Sequence, residues 1–172
     1  MSAHPTTDEL ADLLAETHRD FYRNSPRGEI AQSCLIIGAD ETRRVIQCGW
    51  HNAAEREIIL AGLRMIMVLT QATRYAVWGE VWMVYRNSPP GVDPAEAAEK
   101  AFAEYENGDL SRDPERIECV FTLVVEASGK SVQRIQKIIR GRSGGVRTLV
   151  AMEPMDGLGG ALGDLMPERT FN

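Results

Sequence analysis

With 172 residues, 44% of them apolar and 26% charged, the chain is long enough for one domain around a real core. Its net charge of −6 argues against broad phosphate-backbone binding, which relies on clustered Lys and Arg, so nucleic acid is not an expected partner. Met1 to Leu14 lacks an apolar targeting core, and the longest apolar run, Ile58 to Leu69, is too short for a bilayer and holds Arg64; the expectation is a cytoplasmic protein without membrane contact.

Thr6 and Glu9 have the spacing of a capping box, and Leu10, Leu13, Leu14 and Phe21 then recur with a helical period until Pro26 stops the element. The runs "SCLIIGA" and "RRVIQCGW" read as two strands joined by Asp40, Glu41 and Thr42, a hairpin that would set Cys34 nearly opposite Cys48. Asn52 caps a second helix. Its segment "IILAGLRMIMVLT" is apolar around most of its circumference, so this helix is expected to be buried, with surplus apolar surface suited to a dimer interface. "RYAVWGEVWMVY" is apolar on both faces and rich in β-branched and aromatic residues, the pattern of a central strand. Asp93, Pro94, Glu96 and Gly108 punctuate a third helix with a narrow apolar stripe, expected at the periphery. "RIECVFTLVVE" and "VRTLVAM" are further strands. Between them, "SVQRIQKIIR" fits a strand or a helix ending at Gly141, and the strand reading is preferred. The tail from Pro154 onward is expected to dock loosely.

The pattern predicts one α+β domain over residues 1–172, in the order α-β-β-α-β-α-β-β-β, with a largely antiparallel sheet of about six strands and the central helix on one face. The other face carries Trp78 and Trp82 and is expected to need cover from the peripheral helix and tail or from a second subunit, which makes a homo-oligomer the expected state.

Gly129-Lys130-Ser131 follows a hydrophobic strand, as a phosphate loop would. Such a loop needs a glycine where Val124 stands, and it needs a long helix and a later acidic strand that the remaining residues do not supply. A hairpin turn around Ala127, Ser128 and Gly129 explains the same letters. Trp78, Glu80 and Trp82 project from one face of an extended strand, which sets a carboxylate between two indoles. Lost hydration there would raise the proton affinity of Glu80 and suit it to acid–base work; the plainer use is pairing with an arginine such as Arg116 or Arg134. Cys48 and His51 have a Cys-x-x-His spacing that Cys34 and Cys119 would have to complete as a zinc site. One close pair with two isolated thiols suits reduced core cysteines better. Arg140, Arg142 and Arg147 gather around a glycine-rich turn, a pattern shared by anion sites and solvated hairpin tips. His4 and His18 have no nucleophile motif beside them, and no cofactor is implied.

The strand ending Glu80-Val81-Trp82, followed by Asp113-Pro114-Glu115-Arg116-Ile117-Glu118 at the next strand start, resembles a loose group of small bacterial and phage-associated proteins. Their strands carry Glu-Ala-Trp and then an Asp/Pro-x-Arg-x-Glu start, and the likeness would cover roughly Leu35 to Met152, with Val81 in place of the alanine and the third helix as an insertion. The resemblance picks out Glu80, Trp82, Arg116 and Glu118, implies an ion pair between Glu80 and Arg116, and brings no activity with it. The expected role is therefore a non-catalytic accessory or protein-interaction module. The alternative is an enzyme or small-molecule binder that uses Glu80 between Trp78 and Trp82, with Arg116 or the Arg140–Arg147 turn as anion anchor.

Overall fold

The capping box forms as its spacing requires. Thr6 Oγ1 accepts from the Glu9 amide at 3.2 Å, and the Glu9 carboxylate accepts from the Thr6 amide at 2.7 Å, satisfying two end donors of helix α1, Thr7–Asn24. The computed structural model describes residues 5–50, 53–84 and 114–153. Past α1 come β1 (Ser33–Ile37), β2 (Arg43–Gln47), helix α2 (Ala53–Leu69), β3 (Arg74–Val84), β4 (Arg116–Glu126), β5 (Ser131–Arg140) and β6 (Val146–Met152). The third helix, the Asn52 cap, His4, His51 and the tail from Pro154 all lie outside the described residues, which contain two helices.

The six strands form one open antiparallel sheet in the order β2-β1-β3-β4-β5-β6. β3 is central, as its two apolar faces imply, and the ambiguous segment Ser131–Arg140 is a strand along its whole length. The β1–β2 register sets Cys34 against Ile46, two positions from the expected partner, because Cys48 lies beyond the end of β2. Both thiols still enter the same core cluster.

Alternation along the strands divides the core between the two faces. One face buries Cys34, Ile36, Tyr75, Val77, Leu123 and Val125 beneath Leu60, Leu63 and Met67 of α2. The opposite face buries Leu35, Ile37, Ala76 and Val124 beneath Leu10 and Ala11 of α1, and further along it buries Val120, Ile138 and Val146 against Tyr22. Helix α1 thus covers the indole-bearing face at Trp78, while Trp82 on the same face is 43% exposed. The inward side of α1 also differs from the leucine pattern: Leu13 is 59% exposed and Phe21 37%, while Ala11, Ala15, His18 and Tyr22 point inward. The inward alanines Ala11 and Ala15 let the helix lie close over β4 and β5, and further along Tyr22 reaches the sheet.

α2 is the second departure. Only one side of it is buried, and its outward side leaves Ile58, Met65, Val68 and Leu69 between 56% and 76% exposed.

Candidate functional site

Three groups converge on the Glu80 carboxylate: the Ile30 amide, the Tyr22 hydroxyl and the Arg140 guanidinium. Gly79 precedes Glu80, and any Cβ there would come within 3.0 Å of the Gln32 backbone, so the glycine lets the α1–β1 linker lie against β3. The Ile30 amide then donates to Glu80 Oε1 at 2.8 Å, and the Tyr22 hydroxyl donates to the same oxygen from α1. On the other side Arg140 Nη2 stands 3.6 Å from Oε2. Arg140 also forms a fork with Glu118, its Nε at 2.8 Å from Oε2 and its Nη2 on Oε1, and its Nη1 donates to the Gly144 carbonyl at 3.2 Å. The side chains of Glu80 and Glu118 are 13% and 16% exposed.

Burial first, and the Glu80 carboxylate second, push the Tyr22 phenol well above its ordinary pKa, so it stays a donor at any physiological pH. The hydrogen bonds to Glu118 raise Arg140 further above its already high value. A general acid or base needs an oxygen facing open space where a substrate proton can arrive. Here Oε1 holds two donors and Oε2 faces a guanidinium, so the carboxylate ties α1, the linker, β3 and β5 together.

Other predicted residues are distributed around this network. Arg116 places its guanidinium 4.9 Å from the ring centroid of Trp82, a cation–π contact, and the cation at Glu80 is Arg140. Arg134 reaches α1, with Nε at 2.7 Å from Asp12. Trp78 is half-buried beneath α1, whereas Trp82 is 43% exposed, so the two indoles meet different surroundings. Arg142 and Arg147 are exposed on the β5–β6 hairpin and at the start of β6. A cleft of about 100 Å³ among the described residues lies between α1 and β6, lined by Arg19, Tyr22, Arg23, Val146, Arg147 and Thr148 among others; neither indole borders it.

Gly129-Lys130-Ser131 belongs to the β4–β5 hairpin: Gly129 has φ of 87°, its amide donates to the Glu126 carbonyl, and Lys130 Nζ sits 2.9 Å from Asp8 of α1. Cys34, Cys48 and Cys119 are free and buried, and burial pushes the first up to about 12 and the other two up to about 11. Val77 pairs with both Cys34 and Leu123, so Cys119 stands four residues along β4 from that row, roughly 13 Å of strand. The register therefore separates it from Cys34 and Cys48, and among the described residues no three metal-ligating side chains converge.

Sequence reasoning missed Tyr22, the Ile30 amide and His18. The spacing Ala11, Ala15, His18, Tyr22 was a helical signal in its own right, hidden by the more apolar leucines. His18 stacks obliquely near Trp78, with ring centroids 6.3 Å apart, and burial lowers its pKa to about 4. No helix among the described residues is long and apolar enough to cross a membrane. Comparisons with protein-family models, with curated proteins and with solved structures give no match.

Proposed function

We propose that this chain is a non-catalytic interaction module that docks protein through the outward side of α2 and associates with itself. The observation that carries the reading is a side of α2 on which Ile58, Met65, Val68 and Leu69 are 73%, 65%, 56% and 76% exposed. Single exposed apolar residues are ordinary, but four large ones on one helix form a contiguous patch of the kind that marks an interaction site. An acid–base role for Glu80 finds less support, because both carboxylate oxygens already face donors or a cation within the fold. On this reading the protein works in the cytoplasm with its three buried thiols reduced, in an accessory role to which the Glu80–Trp82 and Arg116–Glu118 resemblance adds a prophage-associated setting. The test is binding of an apolar fluorescent dye to the full chain, with and without Met65→Lys. Dye binding that falls when the charge is introduced supports the reading, and a chain that binds no dye and scatters light as a strict monomer overturns it.

A further inference from the structure

We infer that the occupant of this face is a second copy of α2, packed antiparallel about a two-fold axis that passes near Ala61 and Gly62; the inference rests on the docking surface proposed above. At 100° per residue, Ile58, Ala61, Gly62, Met65, Val68 and Leu69 fall within an arc of about 120°, opposite the buried Leu60, Leu63 and Met67. The arc runs for about 17 Å of helix, and no charged residue interrupts it.

Three properties of the stripe select another helix of this chain as its partner. The first is shape. Its middle is made of Ala61 and Gly62, both exposed, and a Cβ added at Gly62 would meet nothing within 4 Å, so the centre is a shallow depression flanked by larger side chains. Small residues at a crossing point let two helix backbones approach. The second is area. The four large side chains expose apolar surface on the order of 500 Å² per copy, so a symmetric pair that covered all of it would bury at most about 1,000 Å², the lower bound for a specific interface.

The third is charge. Glu57 and Arg64 are seven residues apart on the same flank of the stripe. In an antiparallel two-fold pair each flank meets its own copy, which brings Glu57 of one chain toward Arg64 of the other, twice. Among the described residues Arg64 has no ion pair, and Glu57 meets only the neighbouring Arg56 at 3.2 Å, with both side chains substantially exposed. The flank is thus self-complementary under reversal.

The test uses the full chain and measures mass by sedimentation or light scattering across a micromolar dilution series. The expected result is twice the chain mass of 19.1 kDa at the upper end. Met65→Lys, at a solvent-facing position that the monomer fold tolerates, should weaken association at least ~100-fold. Arg64→Glu, which sets like charges against one another at both symmetric contacts, should weaken it roughly tenfold, and E57R/R64E should restore it. A dimer indifferent to Met65→Lys overturns the pairing through α2. A dimer that Met65→Lys dissociates but the charge exchange leaves unchanged overturns the antiparallel register. A monomer at all concentrations overturns self-pairing; dye binding lost in Met65→Lys would then leave α2 as a docking surface for a different protein, whereas no dye binding would overturn that reading as well.

Discussion

Tyr22→Phe removes one oxygen from the point where α1 meets the sheet and leaves the ring packed against Val120, Ile138 and Val146. A hydrogen bond to a charged acceptor contributes ~1.5–3 kcal/mol. Glu80 Oε1 would retain the Ile30 amide at 2.8 Å and Oε2 would retain Arg140 at 3.6 Å, so no charge is orphaned and the cost falls at the low end, ~1.5–2 kcal/mol. For a chain of this length that is a fall in Tm of roughly 3–8 °C. Glu80→Gln keeps the shape of the side chain but offers an amide donor where donors already converge, and should cost more, ~2–4 kcal/mol. Because both changes disrupt the same bond, Y22F/E80Q should be less destabilised than the sum of its parents by about 1 kcal/mol. Urea unfolding of the four proteins measures this cycle. Additivity within ~0.5 kcal/mol, or a Tyr22→Phe chain as stable as the parent, would refute the claim that the phenol and carboxylate act as one tie.

The buried imidazole gives a pH dependence of known sign. His18 in the fold has its pKa lowered to about 4 against 6.5 unfolded, so between those values the unfolded chain binds the extra proton, and stability is complete above pH 6.5 and falls as the pH drops toward 4. Between pH 7 and pH 5 the loss of unfolding free energy should be ~2 kcal/mol and be absent in His18→Gln; parallel losses in both proteins would contradict it. For the cysteines, thiol pKa values near 11 to 12 and full burial predict that native chains react slowly with a thiol reagent at pH 8, and that denatured chains give three thiols each. Rapid labelling of any cysteine in the native state, or fewer than three thiols after denaturation without reductant, would count against this.

The strands were legible because their signal is local. "RYAVWGEVWMVY" reads as a central strand from its own residues, and Gly129 marks the hairpin whatever else surrounds it. The partner of Glu80 was not legible, because it depends on which strands lie two apart in space. Arg140 is on β5, with β4 between it and β3, and its long stem spans that gap only once the order β3-β4-β5 is known. The orientation of α1 was misjudged for a related reason. Ranking positions by hydrophobicity favours Leu13 and Phe21, but a close approach to β4 and β5 favours alanines and a tyrosine that carries a donor. Burial followed shape and hydrogen bonding there, and apolarity came second.

Helix α2 raises the same question with the opposite answer, since both its sides are apolar and hydrophobicity alone cannot choose which faces the sheet. Volume can. Leu60, Leu63 and Met67 fill the space above Tyr75, Val77 and Leu123, and all three are nearly inaccessible to solvent. Turning the helix by half a revolution would set Ala61 and Gly62 over those same side chains and leave a void where Leu63 now stands, a change of the type that costs ~2–5 kcal/mol when one large core side chain is lost. The large residues are therefore held against the sheet, and the small ones are left outward at the centre of an apolar side. A depression of that kind is a poor match to a flat sheet and a good match to a crossing helix, so the packing preference that orients α2 within the chain also creates the surface on which the proposed pairing depends.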